Sequence, residues 1–139
     1  MRKLFLCISL ISLSYFSSAQ IEDVIIVVHK SNASISLTSN QIKNLYMGGV
    51  VDNDLYPVSL EQGNLARTIF NTRILGLTES RIQSYWAQMR FGGRINKPIE
   101  ISDPQAMVEY ISSHPESIGY LPEETHLPNS LAIIYSTSD

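Results

Sequence analysis

Cysteine is nearly missing from this chain: one residue of 139, Cys7. It lies too early for the lipid-bearing cysteine of a lipoprotein, which sits at the cleavage site. Beyond it there is no thiol, which excludes cysteine nucleophiles, thiolate metal sites and disulfides. An exported fold of this size must then rest on its hydrophobic core. Basic charge is scarce too. Ten Lys and Arg face thirteen Asp and Glu, and without Arg2 and Lys3 the formal charge is −5. Such a chain has no basic footprint for nucleic acid and no polybasic patch for a membrane surface. The three histidines, His29, His114 and His126, are far apart and lack metal-ligand spacing. Glu123 and Glu124 with His126 follow Pro122 and read as a solvated turn. No nucleophile elbow, phosphate-cradling Gly-Lys loop or His-Glu-x-x-His helix is present. The reading is therefore not an enzyme, with no metal and no cofactor expected.

What is present begins with a secretory signal peptide over residues 1–19. Arg2 and Lys3 form the positive region, Leu4 to Phe16 the apolar region, and Ser17-Ser18-Ala19 the small-residue cleavage site. The apolar run is shorter than the roughly 20 residues a spanning helix needs. Cleavage leaves a chain starting near Gln20, periplasmic and not embedded in the membrane. Residues 20–139 then make one ordinary domain.

Val24 to Val28 is a continuous β-branched run, suited to a central strand covered on both faces. A helix is expected over Thr38–Met47. Thr38 and Gln41 have capping-box spacing, Ile42, Leu45 and Tyr46 share one face, and Gly48 or Gly49 ends the turn. Tyr56–Leu60 reads as a strand with Pro57 near its start. Asn64 caps a second helix whose apolar face is Leu65, Ile69, Phe70 and Ile74, stopped by Gly76. Thr78 caps a third, striped by Ile82, Tyr85, Trp86 and Met89. Ile99–Ile101 is a short strand, and Asp103-Pro104 opens a fourth helix. Residues 117–121 and 131–135 are the last strands. Alternation of strands and helices gives an α/β domain.

Ser36-Leu37-Thr38 through Gly49 resembles a segment of the phosphate-binding proteins of bacterial ABC transporters. Val24 to Asn32, Ala66-Arg67 to Phe70, and Ser117-Ile118-Gly119-Tyr120 resemble further family segments in the same order. The resemblance implies one lobe of a type II periplasmic-binding-protein fold, a mixed sheet flanked by helices, with residues 20–139 as that single lobe. It also implies binding of phosphate or a similar oxyanion for an ABC permease or an envelope sensor. Full-length members have a second lobe, absent here. Their Ser-Gly-Thr before the second helix is replaced by Gln62-Gly63-Asn64.

Two groups of residues are candidates for an anion. Gln62, Gly63 and Asn64 form a helix start, where free N–H groups favour negative charge, with Arg67 one turn on. Glu61 beside them opposes an anion. Ser31 and Asn32, with Ser34, follow the first strand, and strand carboxyl ends are where open α/β sheets bind ligands. Ordinary roles fit the same residues: a helix cap, Arg67 paired with a carboxylate, and polar loop chemistry. Asn32-Ala33-Ser34 also matches the glycosylation acceptor pattern, a chance match in a bacterial exported protein. A second wall for the ligand would have to come from another chain, such as a homodimer partner. The alternative is an interaction domain that keeps the lobe, has lost its ligand, and docks on an envelope partner. An open apolar face at Tyr85, Trp86 and Phe91 would favour it.

Overall fold

The computed structural model describes residues 22–93 and 96–139. The signal peptide expected at 1–19 lies outside the described residues. The elements run β1 (Val24–His29), α1 (Ser39–Tyr46), β2 (Tyr56–Leu60), α2 (Leu65–Phe70), α3 (Glu79–Phe91), β3 (Ile99–Ile101), α4 (Pro104–Ser113), β4 (Ser117–Pro122) and β5 (Leu131–Ser136). Five strands form one sheet in the order β3-β2-β4-β1-β5. β2 runs parallel to β3 and β4, while β1 is antiparallel to both β4 and β5. The sheet is therefore mixed, with β1 the one reversed strand.

Local chemistry explains the elements. Thr38 Oγ1 accepts from the Gln41 N–H and the Gln41 side chain accepts from the Thr38 N–H, so the capping box is complete. Gly48 follows with φ +82°, a backbone region that a side chain disfavours. Asn64, Thr78 and Asp103 cap the other helices through their side chains. The second helix does not run straight to Gly76. It is α-helical to Phe70 and then widens into a π turn, Asn71–Leu75, before Gly76 closes it in the left-handed conformation.

The core lies between the sheet and its helices. Val24, Ile26, Val27, Val28, Ile42, Leu60, Ile111 and Tyr120 have no accessible surface. β2 and β4 pair only at Tyr56↔Ser117 and Pro57↔Ile118. Beyond that point two phenols take over. The Tyr46 hydroxyl lies 2.8 Å from the Val58 carbonyl and 3.1 Å from that of Ile118. The Leu60 N–H donates to the Tyr120 hydroxyl at 3.1 Å. Phe70 stacks on Tyr120 with ring centroids 4.0 Å apart and tilts against Tyr46 at 4.6 Å. Where the ladder ends, buried backbone groups are thus still satisfied.

Candidate functional site

The buried face of α2 is shifted by one residue from the expected one. Leu65 is half exposed, and the inward stripe is Ala66, Arg67, Phe70, Asn71, Ile74 and Leu75. Arg67 and Asn71 stand one turn apart on that stripe, so two polar side chains enter the interior.

Arg67 is only 5% exposed, and its guanidinium is spent on internal partners. Nε and Nη2 form a fork onto the two oxygens of Glu79, the Nη2 contact being 2.9 Å. Nη1 donates to the Leu60 carbonyl at 2.7 Å and to Glu100 at 3.2 Å. Glu100 also lies 3.6 Å from Lys97 Nζ. One buried cation thereby ties the end of β2, the first turn of α3 and the middle of β3 to α2. Burial alone would lower the Arg67 pKa, but the bonds and charge of Glu79 outweigh it and raise it. Burial likewise pushes Glu79 up, and the hydrogen bonds from Arg67 and Gln83 hold it below its ordinary value. Beside this cluster Ser59 Oγ and the Tyr120 hydroxyl are 2.8 Å apart, and burial raises the Tyr120 pKa to about 12. The pit between Arg67, Ser59, Asn71, Trp86 and Glu100 measures about 20 Å³. That is room for a single water and not for a tetrahedral oxyanion.

Gln62 and Gly63 are exposed just outside this cluster. Gly63 has φ +89° and open space where a Cβ would stand. Asn64 Oδ1 accepts from the Ala66 N–H at 3.0 Å. The three sit together at the start of α2, while Arg67 turns away from them into the interior.

Ser31 and Asn32 are elsewhere. Because β1 is reversed, its carboxyl end lies beside the beginnings of β2 and β4. Ser31 and Asn32 thus follow the carboxyl end of β1, at the opposite end of the sheet from Gln62–Asn64. The length of β2 separates them from Gln62–Asn64, about 17 Å for a strand of that size. Ser31 is absorbed locally, its hydroxyl 2.8 Å from His29 Nδ1. Asn32 Nδ2 donates to the Pro115 carbonyl at 2.6 Å. The open cleft there, about 550 Å³, is lined by Ser31, Asn32, Asp52, Asn53, Asp54 and Glu116 among others. Its charged lining groups are all carboxylates, which suits no anion. Asn53 Nδ2 is buried with no hydrogen-bond partner among the described residues.

The apolar face near Tyr85 and Trp86 is mostly closed. Trp86 is 7% exposed, Tyr85 donates to the Met47 carbonyl at 2.6 Å, and only Phe91 stands out in solvent. Among the described residues no group of three or more His, Cys, Asp or Glu could hold a metal ion. No described helix is long and apolar enough to cross a membrane.

Sequence reasoning did not find Glu79, Glu100 or Tyr120 as Arg67's surroundings. The available signal was Glu100 itself, a lone charge between two isoleucines in a strand.

Comparison with protein families finds no matching description, and no curated relative matches. Solved structures do. A phosphate ABC transporter substrate-binding protein from Clostridium perfringens, with bound phosphate, aligns with TM-score 0.63 at 18% identity. That alignment covers 84% of this chain and 46% of the other. An ABC-type phosphate transport receptor from Vibrio cholerae aligns at TM-score 0.60 and 17% identity over 84% and 50%. PstS from Borrelia burgdorferi aligns at 0.51 and 14% over 70% and 39%. The chain spans half or less of the length of these structures. Its fold is that of a single lobe of a type II periplasmic-binding-protein-like architecture, as found in phosphate ABC transporter substrate-binding proteins.

Proposed function

We propose that this chain is an exported interaction domain that keeps one lobe of a solute-binding protein and docks on an envelope partner, an ABC permease or a sensor. It does not capture phosphate by itself. The observation that carries this reading is Arg67. Arg67, the cation one turn into the candidate helix, is buried and neutralised by Glu79 and Glu100, and the pit beside it has no space for an oxyanion. Removal of residues 1–19 on export belongs to the same proposal.

A second reading keeps the ligand. Phosphate or a similar oxyanion would bind at Gln62, Gly63 and Asn64, with Arg67 holding the loop from beneath and Ser31 and Asn32 serving only in a larger assembly. Gly63's open surroundings favour it, as does the phosphate bound in the Clostridium perfringens structure. A homodimer would be one source of the missing wall, and sedimentation of the mature chain tests it. Titration calorimetry and thermal unfolding with phosphate and sulfate decide between the two readings. Ligand bound only by the native state must raise the melting temperature. The docking reading expects no heat and no shift. A phosphate-selective shift that Asn64→Ala abolishes would establish the second reading instead.

A further inference from the structure

We propose that the free edge of β5 is the docking surface, and that it accepts an extended, basic segment of the partner as an added strand. This rests on the docking reading above and names its surface and partner chemistry.

β5 is the outermost strand and pairs on one side only, with β1, from Ile25↔Ser136 to His29↔Leu131. Its other side presents backbone donors and acceptors that pair with no described strand. Soluble proteins blunt such edges with charge, proline, shortness or bulges. β5 is six residues long and carries no charged side chain and no proline. Its one irregularity is at Ile134, which has no partner on β1. Ile133 is 52% exposed and adds apolar contact. The opposite edge is managed differently: β3 has three residues, and its Glu100 is tied to Arg67.

The charge around β5 selects the partner. Asp23 precedes β1, Glu123 and Glu124 follow β4, and Asp139 follows β5, so these carboxylates share one end of the sheet. The Glu123 N–H donates to the Asp23 carbonyl at 3.1 Å, and Ser138 Oγ donates to Glu123 at 2.6 Å. Arg73 lies 3.6 Å from Asp23 and offsets one charge. A strand carrying lysine or arginine gains both main-chain bonds and charge complementarity here. The acidic excess of the chain, thirteen against ten, disfavours a second copy as the occupant.

The test uses the mature chain and a fluorescein-labelled peptide alternating valine and lysine. Binding is followed by anisotropy and by amide shifts in NMR spectra. The expected result is binding that shifts the amides of Leu131–Ser136 and is lost when alternate peptide amides are N-methylated. Glu123→Lys with Glu124→Lys should weaken it about tenfold and remove most of its salt dependence. Ile133→Lys, on the exposed face, should weaken it without loss of fold by circular dichroism. No binding, equal binding of the N-methylated peptide, or shifts confined to the Val50–Tyr56 region would overturn the proposal. So would a homodimer in sedimentation whose amide exchange is slowed along Leu131–Ser136 relative to the monomer. A phosphate response in calorimetry overturns the docking reading instead, and is scored separately from the peptide.

Discussion

The two edges of the sheet handle charge in opposite ways. At the β3 edge charge is drawn inward: Glu100 and Glu79 converge on Arg67, and Lys97 backs Glu100. At the β5 edge the strand itself is uncharged, and carboxylates gather beyond its end. The first arrangement joins segments centred on residues 67, 79 and 100 into one rigid corner. It leaves little field for a ligand. The second leaves one side of β5 unpaired by any described strand. A shared sheet can thus carry a closed edge and an open one, and the difference lies in where the charges are consumed.

The largest blow to the closed edge is Arg67→Ala. It leaves the part-buried Glu79 without its cation and Glu100 with Lys97 alone, and should cost about 3 kcal/mol, read by urea unfolding. An unchanged midpoint would mean the cluster does not hold α2, α3 and β3 together. Tyr120→Phe comes next. It leaves the Leu60 N–H and Ser59 hydroxyl short of a partner and should cost about 1–2 kcal/mol in the same assay.

Acid should act at the closed edge as well. The folded pKa of Glu79 is lowered, so its contribution is present above the unfolded carboxylate value and lost as pH falls through the folded one. Stability should therefore drop on the acid side, and Glu79→Gln should flatten that limb while lowering the plateau. An equally steep acid limb in Glu79→Gln would assign the effect to other carboxylates. The smallest effect belongs to the open edge. Ile133→Lys should change stability by less than about 0.5 kcal/mol, because its side chain is half exposed and unpartnered. A large loss there would mean that β5 is a packed strand and not a free edge.

The sequence carried the elements well, since they depend on local chemistry. Thr38 with Gln41, Asn64, Thr78 and Asp103-Pro104 mark helix starts by side-chain bonds a few residues long. The β-branched run at Val24–Val28 marks a strand covered on both faces. The buried face of α2 was misread at Leu65 because hydropathy counts arginine and asparagine as surface, whereas Arg67 and Asn71 are buried against partners. The candidate site was less legible still. Arg67, Gln62, Gly63 and Asn64 are close in sequence, yet the arginine is buried while Gln62 and Gly63 are exposed and Asn64 caps the helix. Ser31 and Asn32, the second candidate group, lie at the opposite end of the sheet because β1 runs against its neighbours.

Composition and spacing by themselves determined the compartment expectation, the helix caps, the strand runs and the absence of thiol chemistry beyond Cys7, because each depends on residues near one another in the chain. Tertiary structure alone decided that Arg67 meets Glu79 and Glu100, that β1 runs against its neighbours, and that β5 pairs with β1 alone among the described strands. Those outcomes depend on which distant segments pack together, and pairing across tens of residues leaves no local pattern to read.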